Sequence, residues 1–158
     1  MNKKGFTLVE LLIVIAIIGI VAAIALPNLL VALQKARQKS TMGDMKSIGT
    51  AIESYITDNY MAPGGGGITA IGPLHPYLVP YHKNNLPEKD SWGGDFQYAS
   101  EIVGTPNQDI YSIISYGRDT LSTGIDILNN NYPVLNMVDF NNDICFSSGA
   151  FVYAPRQR

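Results

Sequence analysis

The sequence predicts an α+β fold in which one long N-terminal helix carries a small antiparallel sheet, and two patterns support this prediction. From Phe6 to Leu33 the chain is almost wholly apolar, and the apolar positions that follow recur at three- and four-residue steps, as on a helix with one buried face. Nearer the C-terminus, short runs of β-branched and aromatic residues are bounded by Gly and Pro, which is typical of strands joined by turns.

The helix is expected to extend from about Phe6 to about Asn59. Pro27 removes one backbone hydrogen bond within it, so we expect a kink or local melting at that point. The apolar positions after Pro27 are Leu30, Leu33, Met42, Met45, Ile48, Ile52, Tyr55 and Ile56. Their spacing predicts that the second half of the helix packs on the sheet, whereas the first half lies in lipid or among neighbouring helices.

Four strands are predicted in the C-terminal half, and the last two form a hairpin. They cover residues 96–98, 109–116, 144–146 and 150–153. A short helix or turn is expected at 74–78. The four glycines at 64–67 are not followed by Gly-Lys-Ser or Gly-Lys-Thr, so a flexible loop is predicted there and a phosphate-binding loop is not.

The apolar run from Phe6 to Leu26 is long enough to cross a bilayer as a helix, and Glu10 is the one ionisable side chain within it. A carboxylate at a membrane centre costs about 2.5–3.5 kcal/mol on insertion scales. We therefore expect Glu10 to meet a cation in the functional state.

Residues 5–14, GFTLVELLIV, resemble the processing signal of type IV pilins and of the pseudopilins of type II secretion. The resemblance implies that a membrane prepilin peptidase cleaves between Gly5 and Phe6 and N-methylates Phe6. The α-amine of Phe6 in a neighbouring subunit is then the cation expected for Glu10. Removal of either partner would weaken assembly, because a buried charge would be left unpaired.

Three segments follow from this resemblance. Residues 1–5 are expected to be a leader peptide, and residues 6–33 a transmembrane and filament-core helix interrupted at Pro27. Residues 34–158 are expected to form an amphipathic helix and a globular head of the type IV pilin fold.

Lys3 and Lys4 precede the apolar segment and favour its N-terminal end on the cytoplasmic side of the inner membrane. The head would then lie in the periplasm before assembly. An exported head could form disulfides, but Cys145 is the single cysteine of the chain. An intrachain bridge of the kind that closes the C-terminal loop of many type IV pilins is therefore excluded.

Charge is distributed unevenly along the chain. From Asp44 onward there are twelve acidic and six basic side chains, a net charge of −6, which argues against nucleic-acid binding through phosphates. Lys35, Arg37 and Lys39 cluster just beyond the apolar segment. They could contact anionic headgroups or acidic residues of a neighbouring subunit, or form a solvated helical face.

A second resemblance lies in the head. Residues 86–98 and 111–119 resemble segments of major pseudopilins, the first through a Leu-Pro-x-x-Asp-x-Trp-Gly pattern and the second through a strand that ends in Gly-x-Asp. Residues 142–144, Asn-Asp-Ile, stand where that family has an Asp-Ile pair, and the resemblance weakens over 120–138. Trp92 is interpreted as a residue that locks the fold.

In that family the loop binds Ca²⁺, which takes the structural place of the disulfide. The resemblance implies Asp119 and Asp143 as ligands by position. Spacing adds Asp139 and Asn141, because oxygen-bearing side chains alternate there, and Asp126 is a reserve candidate. The alternative is that these Asp and Asn residues are ordinary turn residues.

The sequence bears on three classes of function. The first is a structural subunit of a helical filament, either the major pseudopilin of a type II secretion system or the major pilin of a type IV pilus. Its partners would be the prepilin peptidase, an inner-membrane assembly platform and minor pilins or pseudopilins. The second is an enzyme, which is not expected because His75 and His82 lie in no recognisable catalytic pattern. The third is an adhesin or DNA-uptake module, and the acidic head argues against DNA.

Overall fold

The structure, a computed structural model, describes residues 5–82, 86–101, 104, 106–122, 124 and 140–154. The chain divides into two compact units, Met1–Ala36 and Arg37–Arg158. The sequence-based segments 1–5, 6–33 and 34–158 describe processing and membrane burial, and they stay predictions.

Helix α1 covers Leu8–Asn59 and includes Pro27. The local melting expected at Pro27 is absent, since residues on both sides of Pro27 remain helical, and the expected kink stays a prediction. A proline inside a helix removes a single N–H donor, and the hydrogen bonds of the adjacent turns can hold the helix together. Nearby, the Asn28 side chain donates to the Ile24 carbonyl at 3.3 Å. The helix ends where Tyr60 takes a positive φ of 59°.

Five antiparallel strands form one sheet in the order β1-β2-β3-β4-β5. They are β1 Gly67–Ala70, β2 Gln97–Ser100, β3 Tyr111–Ser115, β4 Ile144–Ser147 and β5 Ala150–Tyr153. A 3₁₀ turn at Gly72–Leu74 leads into the short helix α2, His75–Leu78. The α+β prediction is confirmed, as are the four predicted strands and the short helix.

Strand β1 was not predicted. It begins at the last of the four glycines and pairs with β2 from Gly67 opposite Ser100 to Ala70 opposite Gln97. Its sequence, Gly-Ile-Thr-Ala, holds two β-branched residues and no aromatic one, so the local pattern is weak. This strand forms because it pairs with β2. The pairing joins segments that are far apart in the sequence, so the residues of β1 alone do not reveal it.

The main core lies between the second half of α1 and one face of the sheet. The helix contributes Met42, Met45, Ile48, Ala51 and Ile52, and the sheet contributes Tyr98, Tyr111, Ile113, Ile144 and Phe146. The Tyr111 hydroxyl also reaches the helix, where it donates to the Gly49 carbonyl (3.2 Å) or the Glu53 carboxylate (3.0 Å). Burial raises the pKa of Tyr111, so this phenol stays neutral.

A smaller cluster lies on the opposite face of the sheet. Because neighbouring side chains of a strand alternate between faces, the residues adjacent to the core positions point here. Ala99, Ile114, Cys145 and Tyr153 are buried together, and Tyr116 packs against them. The single cysteine therefore lies on the sheet face that turns away from the helix.

Gly49 lies on the face of α1 that packs against Phe146 of β4. A Cβ atom at this position would lie 2.3 Å from a ring carbon of Phe146. Gly49→Ala is therefore expected to destabilise the head by about 1–3 kcal/mol, because overpacking forces the ring or the helix to shift. Gly43→Ala is the control: a Cβ there meets nothing within 4 Å, and the better helix former should stabilise α1 by about 0.5–1 kcal/mol. Thermal melts of both variants, followed by Trp92 fluorescence, should shift in opposite directions; equal shifts would contradict the packing argument.

Candidate assembly and ion-binding sites

Thr7 and Glu10 form a reciprocal cap at the start of α1. The Thr7 hydroxyl oxygen accepts a hydrogen bond from the Glu10 backbone N–H at 3.3 Å. Glu10 Oε2 in turn accepts from the Thr7 backbone N–H at 2.8 Å and from the Thr7 hydroxyl at 2.7 Å. This is a capping box, in which the first and fourth residues of a Thr-x-x-Glu pattern satisfy each other's backbone donors.

The sequence interpretation treated Glu10 only as an acid within an apolar segment and missed this cap. The signal was present, because Thr7-x-x-Glu10 stands at the start of the apolar run. In the single chain the Glu10 carboxylate is thus hydrogen-bonded to Thr7 at the start of the helix. Phe6, which precedes Thr7, is exposed. Both of the hydrogen bonds that the carboxylate accepts from Thr7 are to Oε2.

The first half of α1 presents apolar side chains on all sides. An 18-residue window of α1 has the length and composition needed to cross a bilayer, and none of it is buried inside the structure. Side chains such as Leu12, Ile18 and Leu26 are more than half exposed. The basic cluster that follows this window is exposed as well; it consists of Lys35, Arg37 and Lys39. Exposure is compatible with a lipid contact, with a subunit contact and with a solvated face.

The Leu-Pro-x-x-Asp-x-Trp-Gly segment is organised by Asp90, which is 7% exposed. Asp90 Oδ1 accepts from the backbone N–H groups of Trp92 and Gly94, both at 2.9 Å. Asp90 Oδ2 accepts from the Ser115 hydroxyl at 2.7 Å, which joins this loop to the end of β3. Trp92 is partly buried against the main core, as the sequence interpretation expected.

The structure brings the two described parts of the predicted ion-binding loop together. Gly117 takes a positive φ of 68°, and a Cβ atom there would lie 2.7 Å from the carbonyl oxygen of Asn142 and 2.9 Å from that of Phe140. The backbone N–H of Arg118 donates to the Phe140 carbonyl at 3.0 Å. Glycine is required by this close approach, because any side chain would displace one of the two segments.

The described candidate ligands lie in different environments. Asp119 is exposed, and its Oδ1 accepts from the Leu121 backbone N–H at 3.1 Å, as in a turn. Asn141 Oδ1 accepts from Nε of Arg118 at 2.9 Å. Asp143 is 1% exposed. Asp139 and the reserve candidate Asp126 lie outside the described residues.

Asp143 is buried near two tyrosines of the smaller cluster, Tyr116 and Tyr153. Burial, and then the Asp143 carboxylate, raise the pKa of Tyr116 and of Tyr153. A buried carboxylate at the end of a loop suits a cation, because its desolvation needs compensation. Within the described ranges, however, no group of three or more His, Cys, Asp or Glu side chains could hold a metal ion. Calcium prefers six to eight oxygens, so the Ca²⁺ site stays a prediction.

Sequence reasoning also missed a contact between Ser47 and His82. The Ser47 hydroxyl oxygen lies 3.0 Å from His82 Nε2. Ser47 is an exposed residue on α1, 35 positions before its partner, so no local spacing reveals the pair. A Ser–His contact is one part of a nucleophilic site, but the hydroxyl here faces solvent on the outside of a helix. The contact ties residue 82 to the helix.

Two family profiles match the chain. The prokaryotic N-terminal methylation motif matches residues 1–26, and the profile of type II secretion system (T2SS), protein G, matches residues 28–130. The second match covers more than half of the chain. The chain belongs to the T2SS protein G family.

Curated proteins named "Type II secretion system core protein G" are similar to the chain over most of its length. The Vibrio cholerae protein is 35% identical over 137 residues, which are 81% of this chain and 92% of that protein. The Escherichia coli K12 protein is 30% identical over 136 residues, 81% of this chain and 91% of that protein. No solved structure matches the chain at a significant level.

Membership of the T2SS protein G family decides between the two filaments considered from sequence, in favour of the pseudopilin. Some of the candidate site residues lie within the two matched ranges, and others lie outside them. Gly5, Phe6 and Glu10 lie within the methylation motif, and Asp119 lies within the protein G match. Asp139, Asn141 and Asp143 lie beyond residue 130, where that match ends. Their role therefore depends on the chemistry of this chain's own loop.

Proposed function

We propose that this protein is the major pseudopilin of a type II secretion system, a structural subunit that polymerises through the first half of α1. The observation that carries the proposal is the apolar, exposed first half of α1 in a chain of the T2SS protein G family. Apolar area exposed on this scale needs lipid or other helices to cover it, since each Å² left in water costs about 25 cal/mol.

The proposed cycle has two environments for the same helix. The subunit is first held in the inner membrane as a single-pass protein with its head in the periplasm, and the first half of α1 lies in lipid. After cleavage between Gly5 and Phe6, the helix moves into a filament core. Helices then replace lipid as its neighbours, and van der Waals packing replaces contacts with acyl chains.

The proposed partners are those that this cycle needs. They are the prepilin peptidase, an inner-membrane assembly platform, minor pseudopilins and further copies of this chain. Nucleic acid is not proposed as a partner, because the acidic head repels phosphates. A catalytic role is not proposed either, and the subunit would act by occupying space in a growing periplasmic filament.

We also propose that Ca²⁺ binds the loop between β3 and β4. Asp143, with its carboxylate already withdrawn from water, would be the central ligand, and Asp119 and Asn141 would approach from the two described segments. Asp139 is the proposed further ligand from outside the described residues. Bound Ca²⁺ would hold the loop closed in a head that has a single cysteine.

Mass spectrometry of the native protein tests the proposed function. Protein purified from membranes and from sheared filaments should begin at Phe6 and carry one N-methyl group. A Gly5→Leu variant should retain residues 1–5 and should remain in the membrane fraction, because its helix lacks the new amine. Filaments built from subunits with an intact leader would overturn the proposal.

A further inference from the structure

Arg118 joins the two segments that close the loop between β3 and β4. Its backbone N–H donates to the carbonyl of Phe140 at 3.0 Å, and its side-chain Nε donates to Oδ1 of Asn141 at 2.9 Å. One residue on the β3 side therefore holds two consecutive residues on the β4 side. The side-chain bond is charge-assisted, which makes it stronger than a bond between neutral groups.

Backbone carbonyl oxygens, which carry partial negative charge, lie close to Gly117, the residue before Arg118. The carbonyl oxygens of Phe140 and Asn142 both approach Gly117, within 2.9 Å of the position of its missing Cβ. Asp119 follows Arg118 in the chain, and the buried Asp143 follows Asn142. Carbonyl, amide and carboxylate oxygens are also the ligands that Ca²⁺ prefers, so a guanidinium and a calcium ion would meet the same kind of surroundings here.

We propose that Arg118 is a built-in cation that clamps residues 140–141 to the end of β3 without metal and competes with Ca²⁺ for Asn141. The competition with Ca²⁺ rests on the proposed calcium site, whereas the clamp does not. A guanidinium remains charged at every physiological pH, so the charge of the clamp does not depend on pH. The Arg118 side chain takes one of the two lone-pair positions of Asn141 Oδ1, and its positive charge opposes an incoming Ca²⁺ ion.

The test uses the full chain in detergent micelles, with unfolding of the head followed by the fluorescence of Trp92. The variants are Arg118→Ala, Asn141→Ala and the double substitution. Lys89→Ala is the matched control, because Lys89 is also an exposed cation paired with an exposed oxygen, that of Asp95, in another loop of the head. Each is melted in excess chelator and then titrated with CaCl₂.

In chelator, Arg118→Ala and Asn141→Ala should each lower the melting temperature by about 3–5 °C, and the double substitution should add little to either. Additive losses, or an unchanged melting temperature for Arg118→Ala, would overturn the clamp. The Lys89→Ala control should shift by less, since an isolated surface ion pair contributes little.

In the titration, Arg118→Ala should bind Ca²⁺ roughly threefold to tenfold more tightly than the parent, and Lys89→Ala should bind like the parent. Equal affinities for Arg118→Ala and the parent would overturn the competition. If neither the parent nor any variant binds Ca²⁺, the proposed calcium site and the competition fail together. The clamp is then still decided by the melting temperatures in chelator.

Discussion

Replacing Glu10 with alanine is expected to abolish filament assembly while the melting temperature of the head stays unchanged. The reason is that the Phe6 amine of one subunit would enter the apolar filament core without its partner. Breaking a buried ion pair in this way costs about 3–5 kcal/mol for each subunit interface. Glu10 lies in the unit Met1–Ala36, whereas the core that sets the melting temperature begins at Thr41 and Met42. Pelleting of sheared filaments measures assembly, and Trp92 fluorescence measures unfolding.

The capping box supplies a sharper variant. Glu10→Gln keeps an oxygen that can accept from the Thr7 backbone N–H, so it preserves the helix start but removes the charge. Thr7→Ala does the reverse, since it removes half of the cap and leaves the charge. If pairing with the amine drives assembly, Glu10→Gln should fail as Glu10→Ala does, and Thr7→Ala should lose about 1 kcal/mol of helix stability and still assemble. A Glu10→Gln protein that assembles like the parent would show that the cap is what matters.

Asp90→Ala is expected to destabilise the head by about 3–5 kcal/mol. This is the largest loss of stability that we predict for a substitution among the described residues of the head. Three donors lose their acceptor at once: the backbone N–H groups of Trp92 and Gly94, and the hydroxyl of Ser115. A buried donor left unsatisfied costs about 1–3 kcal/mol. Thermal or denaturant melts followed by near-ultraviolet circular dichroism measure the effect, because the surroundings of Trp92 should change as well.

Asp95→Ala is the control for this prediction. Asp95 is a carboxylate in the same loop, but it is exposed and its ion pair is with the exposed Lys89. Loss of such a pair is expected to change stability by less than about 1 kcal/mol. If the two variants lost the same amount, the buried hydrogen bonds of Asp90 would not be the source of its effect.

The elements that sequence predicted are those whose signal extends over many residues. The helix from Leu8 to Asn59 has 52 residues and a consistent apolar pattern, and β3 has the clearest run of β-branched and aromatic residues. The local melting expected at Pro27 was wrong, because the cooperativity of the surrounding helix outweighs the loss of one hydrogen bond, whereas the kink stays a prediction.

The parts of the candidate sites that sequence missed are contacts between distant residues. Arg118 meets Asn141 across 23 positions, and Ser47 meets His82 across 35. No sequence pattern predicts either pair, because the two residues of each pair are far apart in the sequence and meet only in the folded chain. The capping box of Thr7 and Glu10 is different. It is local and follows a known pattern, so the sequence alone is enough to predict it.

The place of Cys145 has a consequence for how long a filament lasts. Its thiol is enclosed on the sheet face away from the helix, with no exposed surface. In the periplasmic filament proposed above, an accessible lone thiol on each subunit could form disulfides between neighbours and make polymerisation irreversible. Because the sulfur of the single cysteine is enclosed, we expect the proposed fibre to come apart without a reducing agent.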